Sequence, residues 1–499
     1  MENVTAKKVF KNIYWSYLLT FCSSVYGFIT VPLLLKYFGA EEYGLINLAI
    51  SMNVYIQLLD MGFSGTNVRF FSTWLAQKEY HKVSRLFSTS FSYLSMIGLI
   101  NAILLYVVSL FCDDFFDLTK EQTFVMKDLL YILIVNAILS WSTSVFDQVI
   151  KAGEHIAWLQ KRAFIPLCIQ VISVVLTLTL HLSLQTYFLI TILSTLIIVP
   201  FTVFKLKKEF SFISFVPQFD IQIIKEIFSY SLSVFSFGIF QFSMQNLRPI
   251  ILGAQSTLSS VSDYKIIMGI VGIVLSISGN FFGILLPTSS RILSEGNISA
   301  QNFLVYKGTK YVTLLLSFLI FGGILVSAPL LSLYVGHEYS YLEIWLSVSL
   351  LSLFVNHNQA ISSLIFSQTN LVSIAIMSCI SMTIGLSLSW VLAPHFGVGS
   401  VVVGYMIYAV FQTLFYYLYY WPQKMHLNSF LIFKGSFLPP VSVGFICFFI
   451  LKILQIFVEL DDLSMFLIQG SLFVMLYFLL VYFFILDKED KSFFRRIIS

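Results

Sequence analysis

Fourteen apolar stretches, each long enough to cross a bilayer, follow one another along almost the whole chain and leave no room for a water-facing domain. A crossing helix needs ~20 mainly apolar residues. The stretches run from residues 13–35 to 463–486, with the seventh at 228–252, the eighth at 264–286 and the tenth at 342–366. Only 11% of the residues are charged and 58% are apolar, where a soluble domain carries about 25% charged residues. The expected fold is all-α: a polytopic membrane protein of about 14 transmembrane helices, arranged as two six-helix lobes plus two carboxyl-terminal helices.

The basic residues orient these spans. With the amino terminus inside, the outer connections keep only Lys36, Lys120, Lys127, Arg248, Lys265 and Lys452 of the 29 lysines and arginines. That is a positive-inside distribution with both termini cytoplasmic. The bias persists from Lys205, Lys207 and Lys208 to Arg495 and Arg496, so an even number of spans is expected. Topology accounts for the net charge of +4, which gives no support to a nucleic-acid partner. Cys22, Cys112, Cys168, Cys379 and Cys447 lie in or beside apolar stretches without metal-ligand spacing. They read as small apolar side chains rather than a disulfide framework or zinc site. The first stretch lacks a small-residue cleavage signature and is expected to be a retained helix.

The stretch 206–227 divides six spans from eight and alternates apolar with charged residues, as an interfacial helix on the membrane would. It is the expected cytoplasmic linker between an amino-terminal lobe, 1–205, and a carboxyl-terminal lobe, 228–421. Residues 422–499 then hold the last two spans and a cytoplasmic tail. Val31-Pro32-Leu33-Leu34-Leu35 followed by Tyr43 is echoed six helices later by Arg248-Pro249-Ile250-Ile251-Leu252 followed by Tyr264. An even separation makes the copies run in the same direction, as parallel transporter repeats do.

Polar groups are costly in hydrocarbon, so their angular placement marks faces turned to protein or water. At 100° per residue the first helix aligns Asn12, Ser16, Thr20, Ser23, Gly27 and Thr30, and the second Asn53, Gln57, Asp60, Ser64 and Asn67. The seventh aligns Gly238, Gln241, Gln245 and Arg248; the eighth aligns Lys265, Gly269, Gly272, Ser276, Gly279, Asn280 and Gly283. Close helix packing explains the small residues as well as a cavity does. It does not explain Gln57, Asp60 or Arg248, for which a wet cavity is the better account. The ninth, thirteenth and fourteenth spans are nearly uniformly apolar and are expected to face lipid.

Individual charges carry two readings each. Asp60 either binds a coupling ion or pairs with Arg69 or caps a helix end, and Asp147 has the same alternatives. His357, between two asparagines, is either titratable near neutrality or simply hydrogen-bonded. Arg69, Lys82, Arg85 and Arg291 form an inner tier that topology alone explains. Lys36, Arg248 and Lys265 form an outer tier that opposes the insertion bias and calls for a reason such as an anionic ligand. No phosphate-binding glycine loop, HExxH pair or nucleophile elbow occurs. No catalytic residue, cofactor or metal is therefore expected, and a membrane polymerase or ligase is the least supported class.

The segment PLLLKYFGAEEYGLINLAISMNVYIQLLDMGFSGTNVRFFS, Pro32 to Ser72, resembles the opening of bacterial Wzx-type polysaccharide flippases, members of the multidrug/oligosaccharidyl-lipid/polysaccharide exporter (MOP) superfamily. NLRPIILGAQSTLSSVSDYKIIMGI, from Asn246, and LLPTSSRIL, from Leu285, resemble the start of that family's second lobe. The resemblance implies two six-helix bundles around a central cationic cavity, with a lateral portal between the first and eighth helices. It implies a polyprenyl-pyrophosphate-linked oligosaccharide as cargo, membrane lipid and polysaccharide polymerase machinery as further partners, and the bacterial inner membrane as location. Surface polysaccharide of the lipopolysaccharide O-antigen kind would be its product. Arg248 departs from the family pattern, because many members place an acidic residue there.

On this reading Arg69 and Arg291 capture the pyrophosphate on the inner side and Arg248, Lys265 and Lys36 receive it outside by alternating access. Gln57, Gln241, Gln245 and Asn280 would bond the sugar hydroxyls. An inside-negative potential favours outward movement of anions by about 2.3 kcal/mol per charge per 100 mV, so ion coupling is not required. The competing reading is a cation-coupled multidrug exporter of a related branch, which would rely on Asp60.

Overall fold

The computed structural model describes residues 2–60, 62–294, 298–366, 372–457, 461–487 and 490–491, and every regular element among them is a helix. Among the described residues eleven helices are long and apolar enough to cross a membrane, twelve when the bent pair Ala40–Asp60 and Phe63–Ala76 is counted as one span. This is a multi-pass membrane protein. The other two expected spans are helical but interrupted. At 228–252, helix Ile221–Asn246 gives way to Arg248–Gln255 beside Pro249, which has no N–H to donate to the preceding turn. At 342–366, Glu343–Ser352 tightens into a 3-10 segment, Leu353–Asn358, before Gln359–Phe366.

The chain forms two compact units, Met1–Ser262 and Asp263–Ser499. The first contains α1 (Glu2–Phe38), α2 (Ala40–Ile56), α3 (Phe63–Ala76), α4 (Tyr80–Phe116), α5 (Lys120–Ala152), α6 (Ile156–Leu180), α7 (Leu184–Leu193), α8 (Val199–Glu209), α9 (Ile221–Asn246), α10 (Arg248–Gln255) and the first residues of α11 (Leu258–Ser294). Thr119 and Gln122 start α5 with a reciprocal capping box, which satisfies two N–H groups that a helix end leaves open. α4 and α5 pack closely because Gly98 sets its backbone against the Ala137 carbonyl. Phe63, Phe87, Leu94, Phe146, Val149 and Leu206 form the buried core at one end of this unit.

The expected interfacial helix over 206–227 does not form as one element. α8 ends at Glu209, and 210–220 is an irregular strap laid on the bundle. The Ser88 hydroxyl donates to the Ser214 carbonyl at 3.0 Å, the Ser214 N–H donates to the Ser84 hydroxyl at 2.9 Å, and Arg85 pairs with Asp220. Phe210 and Ile213 are buried in the same core, so the strap's apolar residues are partly spent on protein rather than lipid. Asp220 then caps α9 by accepting from the Gln222 and Ile223 N–H groups.

The second unit holds the rest of α11, then α12 (Ile298–Phe303), α13 (Thr309–Leu325), α14 (Ser327–Val335), α15 (Glu343–Ser352), α16 (Gln359–Phe366), α17 (Val372–Phe396), α18 (Val398–Phe415), α19 (Ser429–Ile432), α20 (Leu438–Phe457) and α21 (Asp462–Leu480). α17 and α18 form a close pair in which Gly404 lies against Ser389 and the Gly385 carbonyl. The uniformly apolar spans, α13, α20 and α21, bury one face on each other around Phe321, Leu325, Cys447, Phe473 and Tyr477. Phe449, Ile456 and Phe483 remain exposed, so only the outer faces of these helices follow the expectation of lipid contact. All five cysteines are free.

Candidate functional site

Gly62 adopts φ +75°, a left-handed conformation that favours glycine, and α2 and α3 are bent there by 47°. The bend places Asp60 at the start of α3. Its carboxylate accepts from the Ser64 hydroxyl at 2.7 Å and from the Ser64 N–H at 3.2 Å. That is the helix-end arrangement among the alternatives for this residue. The chain of bonds continues: the Ser64 hydroxyl accepts from the Gln148 amide at 2.9 Å, and the Gln148 carbonyl accepts from Asn67 at 2.9 Å. Asp147, next to Gln148, accepts from the Arg162 guanidinium at 2.8 Å. Arg162 is buried, also donates to the Thr202 hydroxyl, and lies over the Trp158 ring at 5.5 Å. Both sequence-expected acids are thus engaged in bonds that hold helices of the first unit.

The stripe glycines separate packing from open surface. A Cβ on Gly27, Gly238 or Gly272 would have no atom of the described residues within 4 Å. Gly44, Gly98, Gly253, Gly404 and Gly444, in contrast, all meet neighbours at 3.0 Å or less. The first group therefore does not exist to let helices approach. The long polar residues agree: Gln57, Gln241 and Gln245 are exposed, as is Arg69, and α9 packs beside α2 and α3, which bear Gln57 and Arg69 on or next to them.

Burial separates the three cations expected on the outer side. Lys36 and Lys265 are exposed, and among the described residues Lys265 forms no ion pair. Arg248, at the first turn of α10, is buried with 6% of its surface exposed. The side chains of Asn280 and Arg291 lie outside the described residues.

In the second unit His357 is buried, its Nε2 bonded to the Tyr417 hydroxyl at 2.9 Å and its Nδ1 to the Phe354 carbonyl at 2.6 Å. It lines an apolar cavity of about 190 Å³ with Leu351, Phe354, Met406, Val410 and Phe437. None of the expected substrate residues lines that cavity.

Residues 9–293 match the model of a family described as polysaccharide biosynthesis protein. The chain belongs to that family. The match bears out the resemblance carried by Pro32 to Ser72 and by the segment beginning at Asn246. Among solved structures, the lipid II flippase MurJ in an inward closed conformation is 14% identical, with 98% of this chain and 100% of that chain covered and a TM-score of 0.71. An inward-facing multidrug resistance MATE family transporter of the MOP superfamily is 12% identical over 87% of this chain and 96% of that one, TM-score 0.59. The MATE multidrug transporter DinF-BH is 14% identical over 85% and 96%, TM-score 0.54. At these identities the likeness is one of fold: this polysaccharide biosynthesis family member shares the architecture of those solved transporters. No curated protein matches the chain by sequence.

Several polar residues of this family member escape sequence reasoning. Gln148 and Arg162 read as ordinary helix and topogenic residues, and only packing shows them linked to Asp60 and Asp147. Asp263 is buried and accepts from the Tyr341 hydroxyl at 2.7 Å. It lies within the second family-like segment, where its spacing gives no face of its own. Lys307, Lys310, Tyr311, Asp487 and Asp490 form an ion cluster across residues far apart in sequence.

Proposed function

We propose that the protein is a flippase that moves a polyprenyl-pyrophosphate-linked oligosaccharide from the cytoplasmic to the outer leaflet of a bacterial inner membrane by alternating access. The observation that carries the reading is the set of exposed polar side chains Gln57, Arg69, Gln241 and Gln245 on adjoining transmembrane elements of a polysaccharide biosynthesis family member. An amide or guanidinium facing hydrocarbon forfeits its hydrogen bonds, so such a face belongs against water or a polar cargo. Sugars and a diphosphate need that environment, while the polyprenyl tail stays in lipid. In the first unit Arg69 is exposed and offers a forked donor to a diphosphate; in the second unit Lys265 is also exposed and carries a point charge. Lys36 adds a third exposed cation. Arg248 is closed off in this conformation and would meet the cargo only after the helices around α10 move. On this reading both termini are cytoplasmic and the polymerase machinery acts on the delivered product.

The test is export in cells lacking the chromosomal copy. Arg69→Gln with Lys265→Gln should abolish surface polysaccharide while membrane insertion and protein level stay normal. Undiminished export by that double variant overturns the assignment of the two cations.

A cation-coupled exporter is the second reading, and Asp263 favours it: a buried carboxylate in a spanning helix with a single phenolic donor. Asp60 and Asp147 do not, since both serve helix contacts. Export that is unchanged in Asp263→Asn removes this reading.

A further inference from the structure

Among the described residues a cluster of five polar groups stands at the start of α13. Lys307 lies in the π-helical turn Leu304–Gly308, and Lys310 and Tyr311 open α13. At spacings of three and four residues the three side chains share one helix face. They converge on a single carboxylate. Asp490 accepts from Lys307 at 2.8 Å, from Lys310 at 2.7 Å and from the Tyr311 hydroxyl at 2.7 Å, and only 1% of its surface is exposed. Lys307 also pairs with Asp487, whose own backbone N–H donates to Asp490 at 3.2 Å. Lys310 further donates to the Ile485 carbonyl at 2.8 Å. Two ammonium groups thus face two carboxylates brought by the segment just past the last helical turn, Val481–Ile485.

We infer that Lys307, Lys310 and Tyr311 form a binding site for a diphosphate-type anion and that Asp490 and Asp487 occupy it as tethered stand-ins. The charge count is the first argument: two carboxylates against two lysines is the balance a diphosphate ester would strike. Donor type is the second. Lysine ammoniums are mobile point charges that fit phosphate oxygens as readily as carboxylate ones, and a tyrosine hydroxyl adds a directional bond. The third is the mode of attachment. A carboxylate on a short tether is present at high effective concentration, so it fills the site by default and leaves only to a competing anion that matches both lysines. The inference rests on the flippase reading for its biological meaning, since the cargo of that reading carries a diphosphate. Its physical content does not depend on that reading.

A structural staple needs the two aspartates themselves; an anion site accepts a substitute. The experiment is therefore a rescue, made on the full-length protein in detergent. Asp487→Asn with Asp490→Asn should melt at a lower temperature than the wild type. Inorganic pyrophosphate should restore several degrees, whereas chloride at equal ionic strength should not, and the wild type should respond weakly. Adding Lys307→Gln and Lys310→Gln should remove the rescue. Should the double variant not fold, Asp487→Asn alone keeps Asp490 in place and should show a smaller response of the same kind. No rescue by pyrophosphate, or rescue that survives loss of both lysines, overturns the site. The export assay is a separate arm: Lys307→Gln with Lys310→Gln should lower surface polysaccharide. Rescue without any export phenotype leaves the anion site standing and counts against the flippase reading instead.

Discussion

Asp147 and Arg162 meet at 2.8 Å and tie α5 to α6, with the arginine buried and 36% of the aspartate side chain exposed. Arg162 also bonds Thr202 at α8, so one guanidinium holds three helices. Removing one partner of a fully buried pair costs about 3–5 kcal/mol, because the other charge is stranded. Here water reaches Asp147, and the loss for Arg162→Ala should be smaller, about 1–3 kcal/mol once solvent screening is allowed for. Asp147→Asn, which keeps an acceptor but strips the charge facing a buried arginine, should cost a comparable amount. Thermal unfolding of the purified variants reads both. A neutral Arg162→Ala would show that α5, α6 and α8 are held by apolar contacts alone.

The glycines give a paired prediction. A Cβ on Gly44 would sit 2.2 Å from the Leu258 carbonyl oxygen, a backbone atom that cannot rotate away. Gly44→Ala should therefore push α2 from the start of α11 at a cost of ~1–3 kcal/mol, as overpacked sites do. Gly27→Ala meets open space in the same unit and should be neutral or stabilising by up to about 1 kcal/mol, the gain of alanine over glycine in a helix. Equal effects at the two positions would contradict the distinction between packing and surface glycines.

The carboxyl-terminal cluster has a pH signature. Burial opposes ionisation of Asp490, but bonds from Lys307, Lys310 and Tyr311 outweigh it and hold the carboxyl far below the ordinary aspartate range. A carboxyl depressed on folding contributes stability that is fully present above its unfolded pKa, about 4, and that is lost as pH falls through the lower folded value. The segment around Asp490 should thus stay docked from neutrality down to about pH 4 and detach only in stronger acid. Hydrogen exchange at the Asp490 and Lys491 amides follows this directly, since both donate within the same turn. Loss of protection near pH 6 would mean that Asp490 is not held as an ion.

Hydropathy and charge determined from the sequence alone that the chain is all-helical and multi-pass and which stretches carry polar stripes, and the resemblance carried by Pro32–Ser72 and the segment from Asn246 gave its family. Those properties are local or periodic, so the transfer cost of each side chain and its angle on a helix are enough to read them. The bend after α2 was not read from the sequence, where Asn53 to Asn67 lie along one straight helix, nor was it legible that Gly27 is open and Gly44 packed, because a glycine carries no side chain to reveal its neighbour. Only the tertiary structure decided that Ser64 links Asp60 to Gln148, that the residues after Glu209 form a strap rather than an interfacial helix, and that Arg248 is buried while Lys265 is exposed. The same holds for the meeting of Lys307 and Lys310 with Asp490, some 180 residues later. The bonds that matter at these sites join residues distant in the chain, and their geometry follows from helix packing, which no single stretch of sequence encodes.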